Sequence, residues 1–89
     1  MYKISYHHKI PDDLTKISTT EKQTIRQAIE NKLLSEPEFF GKPLQFSLKG
    51  LRSMRVGDYR VVFQLTKKEA FIVLIEHRSK VYQSIEKRI

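Results

Sequence analysis

Gly57-Asp58, set between "SMRV" and "YRVVF", constrains this chain more than any other feature. Two alternating segments joined by Gly-Asp read as a β-hairpin with a two-residue turn, because glycine accepts the positive φ that such turns need. Pairing follows by counting outward: Val56 with Tyr59, Arg55 with Arg60, Met54 with Val61. Side chains alternate between faces. Met54, Val56, Tyr59, Val61, Phe63 and Leu65 therefore share one side, and Arg55 and Arg60 lie together on the other.

The hairpin sits within a run of three strands, at about 47–56, 59–66 and 70–77, with "TKKE" as the second turn. "FIVLI" (71–75) is apolar at every position, which predicts a central strand covered on both sides. Upstream, "YKISYHH" (2–8) alternates and reads as a first strand. Pro11, Asp12 and Asp13 suit the first turn of a short helix running to about Ile17. "TEKQTIRQAIENKLLSEP" predicts an amphipathic helix, with Thr20 and Gln23 as a capping box. Its inward stripe is Ile25, Ala28, Ile29, Leu33 and Leu34, and Pro37 stops it. "PEFFGKPLQF" is expected to be a loop that plugs Phe39 and Phe40 into the core, and "SKVYQSIEKRI" a short terminal helix or ordered tail.

The expected fold is thus α+β, in the order β-α-α-β-β-β. Two N-terminal helices pack on one face of a small antiparallel sheet, and the other face or its rim stays open. With 89 residues the chain is read as one domain, 1–89, whose active site is a shallow groove. The absence of cysteine excludes disulfides, thiolate metal sites and a cysteine nucleophile. Neither a signal peptide nor a membrane span is visible, so a cytoplasmic location is expected.

The formal charge is +7, and all of it lies in residues 42–89, since residues 1–41 hold six basic and six acidic side chains. An electropositive half of this kind attracts polyanions, nucleic acid first and an acidic protein second. Arg55 and Arg60 cannot shed their charge. They must splay into water, find carboxylates or receive an anion; two guanidinium forks converging on one spot suit a phosphate.

A second cluster, "EHRSKVY" (76–82), brings His77, Arg78, Lys80 and Tyr82 to the end of the last strand. These are side chains that metal-free RNA cleavage could use: a base for the 2′-OH, an acid for the departing 5′ oxygen, and cations for the charge on phosphorus. Tyr82 could equally clip the tail to the sheet, and His77 could be an ordinary surface histidine. No metal or cofactor is expected. Carboxylates do not cluster, and His7 and His8, adjacent in a strand, should point to opposite faces.

The stretch "GKPLQFSLKGLRSMRVGDYRVVFQL" and the later "HRSKVYQ" resemble the RelE branch of the RelE/ParE toxin superfamily. The elements L-x-G-L, R-x-G-D-Y-R-V-V and H-R-S-x-V-Y stand in the expected order and spacing. The resemblance implies a toxin of a type II toxin–antitoxin module that cleaves mRNA in the ribosomal A site without metal. It also implies a cognate antitoxin, expected to be acidic and partly disordered when free. Carried over by position, Arg60 contacts the scissile phosphate, Arg55 is the basic residue of the neighbouring strand, and Arg78 and Tyr82 are the basic and aromatic residues near the C-terminus. His77 stands where several relatives carry a histidine or another polar residue. Some relatives have a further basic residue where this chain has Ser53, so the proton-transfer roles stay open between His77 and Tyr82. Lys42, Lys49, Arg52, Lys80, Lys87 and Arg88 are expected to bind mRNA or the ribosome. Two other readings remain: a ParE-like inhibitor of DNA gyrase, and an RNA-binding protein without chemistry.

Overall fold

The computed structural model describes residues 2–44 and 50–89. Five strands form one sheet in the order β1-β5-β4-β3-β2: β1 Lys3–Tyr6, β2 Lys42–Pro43, β3 Leu51–Val56, β4 Tyr59–Leu65 and β5 Glu69–His77. The hairpin pairs as counted, Arg55 opposite Arg60 and Val56 opposite Tyr59, with Gly57 at φ 61°. The sheet is mixed, not antiparallel throughout, because β1 lies parallel to β5. The chain leaves β1 through the helices, re-enters at the far edge as β2, and returns strand by strand until β5 meets β1.

The helices are α1 Ile10–Leu14, α2 Thr19–Ala28, α3 Pro37–Phe40 and α4 Val81–Arg88. Ser18 caps α2, not Thr20: its hydroxyl accepts the Glu21 N–H at 3.2 Å and donates to the Glu21 carboxylate at 2.9 Å. Ser18 still has extended backbone, whereas Thr20 is already helical. After Ala28 the helix widens into a π-helical turn over Ile29–Leu33. Ile25, Ile29 and Leu33 pack with Ile10 and Ile17 against Met54, Val61, Phe63 and Ile72.

Pro37 opens α3 as well as ending the preceding helix, since a proline loses no hydrogen bond in a first turn. Pro37 itself is fully buried, while that short helix turns Phe39 and Phe40 outward, at 75% and 36% exposure. They are not core plugs; their rings meet edge to face, and the Lys32 ammonium lies 5.3 Å from the Phe40 ring centre.

β5 is second from the edge and is covered on both sides, Ile72–Ile75 being buried. The second face is closed by α4, whose Val81 and Ile85 pack on Leu51, Val62, Val73 and Leu74. A β-bulge makes this possible. Val62 pairs with Leu74 and Phe63 with Ile72, leaving Val73 as the extra residue. β5 also runs past the end of β1, and two charged side chains satisfy its edge there. Asp13 accepts the Ile75 N–H at 3.1 Å, and Arg88 donates to the Val73 carbonyl at 2.8 Å. Arg88 grips Asp13 with both ends of its fork, at 2.7 and 3.0 Å, tying α4 to α1.

Candidate functional site

Alternation along the hairpin places Ser53, Arg55, Arg60 and Val62 on the α4 side of the sheet. Arg55 is exposed and Arg60 half-buried. Their guanidinium groups do not converge. Arg55 Nε donates to the Gly57 carbonyl at 2.9 Å, toward the turn, and Arg60 Nη1 donates to the Ser53 hydroxyl at 3.0 Å, away from it. Like charges on opposed positions repel, and leaning apart along the strands relieves that. Among the described residues no carboxylate lies within 4 Å of either guanidinium. Glu76, opposite Arg60 on β5, instead accepts from the His77 N–H and from the Ser84 hydroxyl of α4, both at 2.9 Å.

The remaining sequence candidates divide. Tyr82 is half exposed in the first turn of α4, on the arginine side of the sheet. Arg78 is exposed beyond the end of β5, where its N–H donates to the Asp58 carbonyl at 2.8 Å and its Nε lies 3.8 Å from the Asp58 carboxylate. His77 is not with them. It pairs with Tyr59, so it shares the opposite face, the one that α1 and α2 cover, and the two rings meet edge to face with centres 5.7 Å apart. Its Nδ1 accepts the Ser79 N–H at 3.2 Å and lies 2.8 Å from the Ser79 hydroxyl. An N–H can only donate, so the neutral ring carries its proton on Nε2.

Of the other cations, Lys42, Lys80 and Lys87 are exposed. Arg52 and Arg88 leave the candidate surface. Arg52 Nη2 donates to the carbonyls of both Glu38 and Gly41, at 3.0 and 2.7 Å, and Arg88 is held by Asp13. Lys49 lies outside the described residues. His7 and His8 also depart from expectation. β1 ends at Tyr6, and the two rings stack with centres 4.4 Å apart instead of facing opposite ways. No group of three or more metal-ligating side chains occurs among the described residues.

Sequence reading missed Ser53 as a partner. Its position diagonal to Arg60 on the same face follows from the alternation.

A basic hairpin on a mixed sheet, with an N-terminal helical layer on one face and a C-terminal helix on the other, is the architecture of a chain that a family model assigns to the toxins of type II toxin–antitoxin modules. The chain belongs to the RelE/ParE superfamily, and the matching family model, ParE toxin of type II toxin–antitoxin system, parDE, covers residues 4–82. Toxin RelE of Mycobacterium tuberculosis is 43% identical over 53 residues, which span 57% of this chain and 55%, about half, of that relative. The toxin–antitoxin complex RelBE2 from the same organism contains a chain that superposes with a TM-score of 0.78 at 26% identity, over 86% of this chain and 98% of that one. YafQ from Escherichia coli shares the fold, with a TM-score of 0.64 at 20% identity over 92% of this chain and 99% of its own. Among the described residues no helix is long and apolar enough to cross a membrane.

Proposed function

We propose that this toxin is a ribosome-dependent, metal-independent mRNA endonuclease, acting in the cytoplasm and neutralised by a cognate antitoxin. The observation that carries the reading is Arg60: a permanent cation on the arginine face of the sheet, aimed by a buried hydroxyl and without a carboxylate partner among the described residues. Arg60 would hold a non-bridging oxygen of the scissile phosphate and stabilise the charge that builds there. Arg55, tied only to a turn carbonyl, would swing in from the rim, and Arg78 would contact an adjacent phosphate.

In the reaction the 2′-oxygen attacks phosphorus and the bond to the 5′ oxygen breaks. A cyclic phosphate and a 5′-hydroxyl result. One proton leaves the 2′-OH and another reaches the 5′ oxygen. With His77 on the far face, Tyr82 is the candidate of this chain for one of those transfers, and it could also stack on a base. A shallow site with so few proton carriers relies on the ribosome to align the 2′-oxygen, so activity on naked RNA should be weak. Lys42, Lys80 and Lys87 would add phosphate contacts that position without reading sequence.

The antitoxin is supported by the toxin–antitoxin complex among the structural neighbours and by the +7 charge, which an acidic segment would complement.

The ParE description of the matching family favours a second reading, inhibition of DNA gyrase. One experiment separates the readings: the purified chain is added to a translation reaction, mRNA 5′ ends are mapped, and gyrase supercoiling is assayed in parallel. Codon-phased cuts support the nuclease. Inhibited supercoiling without cuts supports the gyrase reading, and neither effect leaves simple RNA binding.

A further inference from the structure

On the side of the sheet that α1 and α2 cover, past the hairpin turn, is an open hollow of about 350 Å³, in which Lys16, Tyr59, His77, Lys80, Asp13 and Glu76 surround a largely apolar floor. Its donors and acceptors are in opposite states. Both carboxylates are committed inside the protein: Asp13 to Arg88 and the Ile75 N–H, Glu76 to the His77 N–H and Ser84. The donors are not. Lys16 and Lys80 are exposed and form no ion pair among the described residues. Because Ser79 occupies His77 Nδ1, the imidazole has its Nε2–H to offer. Tyr59 adds a hydroxyl that burial, and then the nearby carboxylates Glu21, Asp58 and Glu76, keep protonated. Asp13 is neutralised by Arg88, whereas Glu76 keeps its charge; against that one acid the lining sets the two unpaired ammonium groups of Lys16 and Lys80, and this balance favours an oxyanion.

We propose that this hollow is a second phosphate-ester site, on the opposite face of the sheet from Arg55 and Arg60, with Lys16, Lys80, His77 and Tyr59 as its donors. Its size suits a single nucleotide. The ligand is either a free nucleoside monophosphate or one phosphate of an RNA strand passing around the hairpin end. This assigns His77 a binding role in place of proton transfer, and it does not depend on the nuclease reading.

The test is an NMR titration of the full chain with adenosine 5′-monophosphate and, separately, with a short single-stranded oligoribonucleotide. The wild type is compared with Lys16→Ala and Arg60→Ala. Saturable shifts of the His77 and Tyr59 ring signals are expected. Lys16→Ala should weaken binding roughly three- to five-fold, the ordinary weight of one exposed charge pair. Arg60→Ala should leave the mononucleotide affinity unchanged. Lys16 is exposed, so its variant should stay folded, and a circular dichroism melt checks that. Binding of the mononucleotide assigns the free-ligand source, and binding of the oligonucleotide alone assigns the strand. Shifts confined to the Arg55 and Arg60 face, no saturation with either ligand, or a Lys16→Ala affinity equal to wild type would each overturn the proposal. None of these outcomes bears on whether mRNA is cut.

Discussion

Arg60 rests its guanidinium on the hydroxyl of Ser53, at 3.0 Å, a residue two positions along β3 from the one it faces. Ser53 is 4% exposed, so the contact fixes one end of the arginine at the sheet surface while leaving the rest of its fork available. Arg55, its register partner, is exposed and is tied instead at the turn, to the Gly57 carbonyl at 2.9 Å.

This asymmetry predicts unequal effects of removing the two arginines. A group already aimed at developing charge contributes more than one that must first reorganise. Arg60→Ala should lower the rate of mRNA cleavage on the ribosome by roughly 100-fold or more, the usual loss on removing one transition-state donor. Arg55→Ala should cost about ten-fold or less and should barely change stability, because the side chain is exposed. Single-turnover cleavage on stalled ribosomes measures both. Equal losses for the two variants would remove the distinction.

Ser53→Ala tests the anchor. The variant keeps every charge but frees the Arg60 fork, so its rate constant for cleavage should fall about ten-fold while ribosome affinity stays near wild type. Ser53→Thr, which retains the hydroxyl, should restore most of it. Stability should drop by about 1 kcal/mol, the net value of one hydrogen bond. If both variants lose activity only in proportion to stability, Ser53 is structural and does not position Arg60.

How much of this was legible beforehand depends on distance along the chain. The hairpin and its two faces are local, and alternation from Gly57 outward placed Arg55 and Arg60 correctly. The direction each guanidinium takes is a rotamer choice, which no spacing encodes. The parallel pairing of β1 with β5 joins segments more than 60 residues apart, and nothing in "YKISYHH" names its partner. The apolar run "FIVLI" marked a covered strand, but a run without alternation also hid the bulge at Val73. Pro37 is ambiguous by nature, as it can stop one helix or start another, and here that choice decided where Phe39 and Phe40 point. Proximity in sequence groups His77 with Arg78 and Tyr82, but Tyr59 opposite it on β4 fixes its side chain on the other face.

His7 supplies a pH dependence of stability. Burial, then the positive charges of His8, Arg88 and Lys9, push its pKa below the ordinary 6.5, with Asp13 opposing. Its Nδ1 also accepts the Lys9 N–H at 3.1 Å, a bond that protonation there would break. In the window just below 6.5 the unfolded chain therefore binds more protons than the folded one, and stability falls as pH drops through it. Above that window both states are neutral at this ring and the contribution is flat. The measurable quantity is the difference between wild type and His7→Gln in urea unfolding at pH 7.5 and pH 5. Wild type should lose more stability on acidification than the variant does, and equal losses would exclude His7 as a source.

Asp13 and Arg88 close the fold at a distance of 75 residues, and their removal should be the most damaging of these changes. Their side chains are only 9% and 11% exposed, so each charge depends on the other. Asp13→Ala leaves Arg88 buried without a counter-charge and also strips the Ile75 N–H of its acceptor. Breaking one side of such a pair costs about 3–5 kcal/mol. That is a large part of the total expected for a domain of this size, roughly 4–13 kcal/mol. The melting temperature should fall by about 12 °C or more, at roughly 4–8 °C per kcal/mol. Arg88→Met should be milder, since Asp13 keeps its backbone donor and can draw in water from the nearby surface. The double change Asp13→Ala, Arg88→Met should recover part of the single loss, because an apolar replacement of a buried ion pair is often close to neutral. Thermal unfolding followed by circular dichroism reads all three. If Asp13→Ala melts within about 3 °C of wild type, well below the shift set by these scales, the pair does not hold α4 to α1.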